Sequence, residues 1–173
     1  MRIDKGIYIP IADQNETEAK KYANELVLKE ILKKSEIPEE LKEKIRNKEV
    51  KILDIGTGRG LLVDYLSKEG YQICGIDYQN LEPENTENKL IADADKLPFT
   101  DESFDIIVMI GCIDPYIYQD QKFSKLRTIS FEISRVLKKP GVLVTSNYDT
   151  FEDLKHLTEG GIKRISSLVG LKE

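Results

Sequence analysis

The chain has 173 residues, of which 40% are hydrophobic and 33% are charged. This length fits one domain with its own core, and the composition excludes both a disordered chain and a run of membrane-spanning helices. The formal net charge of −5 opposes the phosphate attraction that drives non-specific nucleic-acid binding. Asp4 and Lys5 interrupt the first apolar run, so no secretion signal is predicted and we expect a cytoplasmic location.

Two helices are predicted before the first strand. Apolar residues recur at helical spacing over residues 13–34, and a shorter, highly charged helix is predicted over 39–47. We expect residues 1–49 to form a helical extension to a single domain that covers 1–173. Two roles are open for this extension. It could form a lid over a ligand site, with Tyr8 and Tyr22 facing the pocket. Alternatively, both tyrosines could simply anchor an amphipathic helix to the sheet.

Residues 50–173 predict a Rossmann-like α/β core. Apolar runs rich in β-branched residues alternate with amphipathic helical segments, which is typical of a doubly wound, mostly parallel sheet with helices on both faces. The predicted strands are VKILDIG, YQICGID, KLIAD, FDIIVMIG and GVLVTSNY, with IKRISSLVG as the last; the predicted helices are LLVDYLSKEG, KFSKLRTISFEISRVLKK and FEDLKHLTEGG.

The two cysteines predict neither a disulfide nor a metal site. Cys74 and Cys112 lie far apart in the sequence, inside apolar runs and without CxxC spacing. Reduced, buried thiols are the expected state.

A glycine-rich loop follows the first predicted strand, in the segment DIGTGRG over residues 54–60. Open α/β sheets bind ligands at this position, and glycine lets the backbone approach a ligand closely. A dinucleotide fingerprint would need a further glycine where this chain has Leu61, so the spacing argues against NAD.

Asp54 precedes the glycines, and a carboxylate there favours a cationic ligand such as S-adenosylmethionine, which carries an ammonium and a sulfonium.

Asp77 ends the second predicted strand, near the position where nucleotide-binding folds place the acid that binds ribose hydroxyls. Two carboxylate oxygens match two hydroxyl donors. The alternative is an exposed acid at a strand end with no ligand. Together with the glycine loop, ribose binding is the favoured interpretation.

Four segments in order resemble the motifs of class I S-adenosylmethionine-dependent methyltransferases. They are DIGTGRG, GIDY, IADADKLPFTDESFDIIVMIG and EISRVLKKPGVLV, and the resemblance extends from about Val50 to Asn147. Within the class, the chain is similar to the small-molecule group that includes quinone-biosynthesis methyltransferases. The resemblance implies a methyltransferase that uses S-adenosylmethionine, releases S-adenosylhomocysteine and acts on a small-molecule acceptor that the sequence does not identify.

The same resemblance implies a set of cofactor-binding residues. The loop glycines would cradle the methionine part with Asp54 near its ammonium, while Asp77 would hold the ribose. Asp93 and the backbone of Ala94 would bind the adenine. The full predicted set is Asp54, Ile55, Gly56, Thr57, Gly58, Gly60, Asp77, Tyr78, Asp93, Ala94, Gly111 and Cys112, with Leu97 as a further apolar wall.

Three features depart from the family pattern. The segment between Asp77 and Asp93 is short and rich in Asn, Pro and Glu, so we expect its helix to be stunted or absent. The loop after the fourth strand reads GCIDPYIYQDQ instead of a His-rich sequence. We also expect the C-terminus to be too short for a complete final pair of antiparallel strands.

No fixed catalytic group is predicted, because methyl transfer from a sulfonium depends chiefly on positioning the reactants. His156 is expected on the surface. Asp114-Pro115-Tyr116 partly resembles the Asp/Asn-Pro-Pro-Tyr motif of nucleic-acid amino methyltransferases, but one proline is missing. An RNA, DNA or protein methyltransferase and a non-catalytic binding protein therefore remain as alternatives.

Overall fold

The computed structural model describes residues 27–79, 88–110, 123–145, 162–164 and 169–172. No helix within these ranges is long and apolar enough to cross a membrane. The elements in chain order are α1 (Lys29–Lys33), α2 (Glu39–Arg46), β1 (Lys51–Ile55), α3 (Leu61–Lys68), β2 (Gln72–Asp77), β3 (Lys89–Ile91), β4 (Phe104–Met109), α4 (Phe123–Val136), β5 (Leu137–Thr145), β6 (Ile162–Arg164) and β7 (Val169–Lys172).

The described strands form one sheet in the order β3-β2-β1-β4-β5-β7-β6. Strands β1 to β5 pair in parallel, whereas β7 runs antiparallel to both β5 and β6. The strand order reverses between β1 and β4, and a crevice opens at the carboxyl ends of the strands at such a switch point. The predicted doubly wound, mostly parallel sheet is therefore confirmed.

The central strands β1 and β4 are buried on both faces of the sheet, which explains why they read as continuous apolar runs. Ile52 and Ile106 belong to one apolar cluster, together with α3 and the segment that contains α1 and α2. Leu53 and Ile107 belong to the other cluster, which includes buried residues of α4. The described part of the N-terminal extension, residues 27–49, thus contributes buried residues to the core itself.

The C-terminus does form an antiparallel strand pair, and the expected shortening is limited to the lengths of its strands, three residues in β6 and four in β7. Strand β7 pairs with β5 from Gly141↔Lys172 to Val144↔Val169, and three residues of β6 complete the edge. The predicted strand IKRISSLVG is instead divided between β6 and the start of β7. Lys172 helps to hold this edge because its ammonium donates to the carbonyl oxygens of Ser134 and Leu137 at 2.6 and 2.7 Å.

The boundary between the fourth helix and the fifth strand also differs from the prediction. The pattern placed Leu137 to Lys139 in the helix, but α4 ends at Val136 and β5 begins at Leu137. Lys138 donates to a carboxylate oxygen of Asp105 at 2.8 Å, and the same oxygen accepts the backbone N–H of Lys51 at 2.8 Å. This contact between three strands overrides the local helical pattern.

Several predictions fall outside the described residues. They concern the first part of the proposed lid with Tyr8 and Tyr22, the segment at 80–87, the loop at 111–122 and the late helix with His156. Of the two cysteines, Cys74 is described; it is half-buried and free. Burial, followed by the nearby charge of Asp54, raises the pKa of its thiol.

Candidate functional site

The glycine loop folds back onto the end of β2. Gly56, Gly58 and Gly60 have φ angles of 74°, 54° and 78°, in the left-handed region that favours glycine. The backbone N–H groups of Gly56 and Thr57 both donate to the carbonyl oxygen of Ile76, at 2.8 and 3.0 Å. Helix α3 begins directly after Gly60, so the loop joins the ends of two neighbouring strands to a helix N-terminus.

Asp77 contacts this loop through its side chain. One carboxylate oxygen accepts the backbone N–H of Gly58 at 2.9 Å, and the other accepts the N–H of Gln79 at 3.1 Å. Each oxygen can accept more than one hydrogen bond, so both keep capacity for further donors. Sequence spacing predicted that Asp77 and the loop lie together, and the structure brings them into direct contact.

Asp54 is buried beneath the loop, with 7% of the residue exposed. One of its carboxylate oxygens accepts the hydroxyl of Thr57 at 2.8 Å. Burial raises the pKa of Asp54 to about 7; the Thr57 hydrogen bond opposes this shift and the charge of Asp77 adds to it. A cation beside Asp54 would favour its ionised form, because an opposite charge offsets the cost of burial.

Gly75, which the sequence analysis did not single out, makes room for this arrangement. A Cβ atom at residue 75 would lie 2.6 Å from the Thr57 hydroxyl oxygen and 2.7 Å from a methyl carbon of Val63. Glycine inside a strand often marks such a close approach, and this was the available signal. The loop can therefore lie against β2 only because β2 carries no side chain at this point.

Asp93 lies just after β3, where the N–H of Ala92 donates to the backbone oxygen of Asp77 at 2.9 Å. A carboxylate oxygen of Asp93 accepts a hydrogen bond from the ammonium nitrogen of Lys125, on α4, at 2.8 Å. Burial raises the pKa of Asp93, but Lys125 and the backbone N–H groups of Asp95 and Ala94 outweigh it and hold the pKa below its usual value. The partner Lys125 was missed, because it is distant in the sequence.

The predicted apolar walls differ in exposure. Ile55 and Leu97 are buried, Ala94 is partly buried and Tyr78 is 58% exposed. The backbone of Leu97 is fixed to α4, since its N–H donates to Glu132 at 2.7 Å and its carbonyl oxygen accepts from Arg135 at 3.1 Å. Gly111 and Cys112 lie outside the described residues, and their predicted roles stay predictions.

Comparison with known families identifies the domain. The sequence profile of a family described as "Methyltransferase domain" matches residues 53–145, more than half of the chain. The chain belongs to this family. This match bears out the resemblance to S-adenosylmethionine-dependent methyltransferases, with S-adenosylmethionine as the implied cofactor. A search of curated proteins finds no match.

Solved methyltransferases share the fold. One from Aquifex aeolicus is 18% identical, with 92% of this chain and 100% of that chain covered and a TM-score of 0.53. Another, from Thermotoga maritima, is 17% identical, with 92% and 96% covered and a TM-score of 0.51. These similarities confirm the Rossmann-like fold of the methyltransferase domain.

Two lysines of the methyltransferase domain, Lys138 and Lys139, lie away from the glycine loop. Lys138 and Lys139 stand at the amino end of β5, whereas the loop, Asp77 and Asp93 follow the carboxyl ends of their strands. Lys138 is moreover paired with Asp105. Neither lysine therefore borders the crevice.

Proposed function

We propose that this chain is an active methyltransferase that transfers the methyl group of S-adenosylmethionine to a small-molecule acceptor. The observation that carries the proposal is the contact of the glycine loop with two carboxylates, those of Asp54 and Asp77. Such a site favours a cationic ligand with a ribose. A pyrophosphate would be repelled, and the Gly58 N–H that could cradle it already donates to Asp77.

The predicted roles fit the groups present. Burial raises the pKa of Asp54 in the free protein, which means that its ionised form is disfavoured there. The ammonium of the methionine part would stabilise this ionised form by its opposite charge. The spare acceptor capacity of Asp77 would take the ribose hydroxyls. Asp93, which Lys125 keeps ionised, would accept from the adenine amine.

The protein's contribution to the reaction would be to bind, orient and shield the reactants. Bound S-adenosylmethionine supplies an electrophilic methyl group and a good leaving group, so no acid or base on the chain is required to activate it. The loop and strand ends fix the position of one reactant, and correct placement of two reactants can itself supply a large part of the acceleration.

A small-molecule acceptor is favoured by charge. The chain carries a formal net charge of −5, and Lys138 and Lys139 lie at the far end of the sheet from the loop. A nucleic-acid substrate would need unpaired basic residues around the crevice, whereas Lys89 and Lys125 at the site are paired with Asp64 and Asp93.

Transfer can be tested with methyl-labelled S-adenosylmethionine and a metabolite extract that contains only small molecules. We expect label to appear in a small-molecule product with the wild-type chain. Gly58→Arg should abolish this transfer, because it places a long cationic side chain at a left-handed position beside Asp77. Lys44→Met, on the exposed face of α2, should leave transfer unchanged.

Two results would overturn the proposal. Label that moves only when RNA, DNA or protein is supplied would assign the enzyme to the macromolecular class. If no label moves although S-adenosylhomocysteine binds tightly, the chain is a cofactor-binding protein without this activity. Circular dichroism of Gly58→Arg confirms that its loss of transfer is not a loss of fold.

A further inference from the structure

Lys89, the first residue of β3, reaches the glycine loop from the edge of the sheet. Its ammonium donates to the backbone oxygen of Arg59 at 2.9 Å and lies 3.4 Å from the carboxylate of Asp64 in the first turn of α3. The side chain is only 12% exposed. Lys89 therefore connects the edge strand, the loop and the following helix.

The position of this ammonium is unfavourable in itself. It lies by the N-terminus of α3, where the positive end of the helix dipole disfavours a cation, and it is largely withdrawn from water. Asp64 offsets part of this cost by its charge. The hydrogen bond from the ammonium to the backbone oxygen of Arg59 offsets the rest of the cost of burying this charge. Hydrogen bonds from a charged donor are among the stronger ones in proteins.

Gly60 is shaped to admit the lysine. A Cβ atom at residue 60 would lie 2.0 Å from Cε and 2.7 Å from Cδ of Lys89. The left-handed φ is the reason that residue 60 is glycine, and the missing Cβ also leaves room for the end of the flexible Lys89 side chain. The lysine and the loop fit each other along the stem as well as at the ammonium.

We propose that Lys89 is a positioning residue that holds the glycine loop in the conformation that binds the cofactor. The inference rests on the proposed function, since it assigns the loop to the cofactor. A loop with three left-handed glycines loses much conformational entropy when it is ordered. If only a fraction of molecules hold the loop correctly, the apparent dissociation constant rises by the inverse of that fraction.

Lys89→Met tests the proposal, because methionine keeps an apolar stem but removes the ammonium. We expect the dissociation constant for S-adenosylhomocysteine, measured by calorimetry, to rise about tenfold, or about 1.4 kcal/mol. Hydrogen exchange of the amides at residues 56–60 should become faster in the ligand-free protein. Asp64→Asn keeps the bond to Arg59 and should produce a smaller change in the same direction.

Lys44→Met is the matched control. It also removes an ammonium with a carboxylate partner, since Lys44 lies 2.9 Å from Glu40, but this pair is on α2 and distant from the loop. Affinity and loop exchange should both equal those of the wild type. Thermal unfolding of each variant separates a local effect on the loop from a general loss of stability.

Three outcomes distinguish the inference from the proposed function. If Lys89→Met binds S-adenosylhomocysteine as tightly as the wild type, the positioning role is refuted whether or not hydrogen exchange at residues 56–60 is faster. The proposed cofactor site is not affected by this result. If the wild type binds no S-adenosylhomocysteine, both the proposed function and the link from Lys89 to the cofactor fall. Should Lys89→Met fail to fold, Asp64→Asn decides: wild-type affinity and wild-type exchange in that variant would contradict the inference.

Discussion

Asp77→Asn should weaken binding of S-adenosylhomocysteine about 100-fold. Hydrogen bonds to a charged group contribute about 1.5–3 kcal/mol each, and the proposed ribose contacts use two. Asparagine loses the charge and turns one acceptor into an amide donor, which would oppose either the N–H of Gly58 or a ribose hydroxyl. Titration calorimetry with the two proteins measures the difference directly.

Asp101→Asn provides the control for this change. Asp101 is also an acid with a hydrogen-bond partner, Arg135, but it lies before β4, at the opposite end of the strands from the glycine loop. It changes the net charge by the same amount. If both variants weakened binding equally, the effect would come from overall charge and the role of Asp77 would be refuted.

Asp54→Asn should have opposite effects on stability and on binding. Since the carboxylate of Asp54 is buried, its ionised form destabilises the ligand-free protein at alkaline pH. Asparagine can still accept the Thr57 hydroxyl and carries no charge. We expect the variant to be more stable than the wild type at about pH 8, by on the order of 2–4 kcal/mol, and to bind S-adenosylhomocysteine at least about tenfold less tightly.

The pH dependence of stability follows from the direction of the pKa shift. Burial raises the pKa of Asp54 in the folded chain to about 7, from 3.8 for an exposed aspartate. Between these values the unfolded chain has released the proton that the folded chain still holds, so stability falls as pH rises through this window and the fall ends above the folded pKa. The ligand ammonium should favour ionised Asp54, and affinity should therefore decrease as pH falls below about 7.

Urea denaturation of both proteins at about pH 5 and about pH 8 measures this contribution. Other titrating groups are common to the two chains, so the difference between them isolates Asp54. The wild type should lose more stability than Asp54→Asn as pH rises. Equal losses in the two proteins would show that Asp54 ionises as freely as an exposed acid.

Local sequence patterns were sufficient for the parallel part of the sheet, because its central strands β1 and β4 are buried and read as apolar runs, and the exposed edge strand β3 also carries the apolar pair Leu90 and Ile91. They failed where strands are short or where distant contacts decide. The three residues of β6 and four of β7 are stabilised by pairing with each other and with β5. The helix pattern through Leu137 to Lys139 gave way to strand pairing and to the contact of Lys138 with Asp105.

The candidate site shows the same division. Asp54, Asp77 and the glycines could be recognised because they occupy strand ends and a loop of distinctive spacing. The supporting residues Lys89 and Lys125 could not, since their contacts reach across strands or to another helix, whereas Gly75 left one local signal as a glycine inside a strand. The spacing of apolar residues along the sequence does not indicate contacts between distant segments, which form only when the chain folds.

Calorimetric titration of the wild-type chain with S-adenosylhomocysteine, and separately with NAD⁺, tests the central claim most directly. The two acids at the glycine loop predict saturable, one-to-one binding of S-adenosylhomocysteine and no measurable binding of NAD⁺, whose pyrophosphate would meet Asp54 and Asp77. Saturable binding of NAD⁺, or no binding of S-adenosylhomocysteine at slightly alkaline pH, would contradict the account.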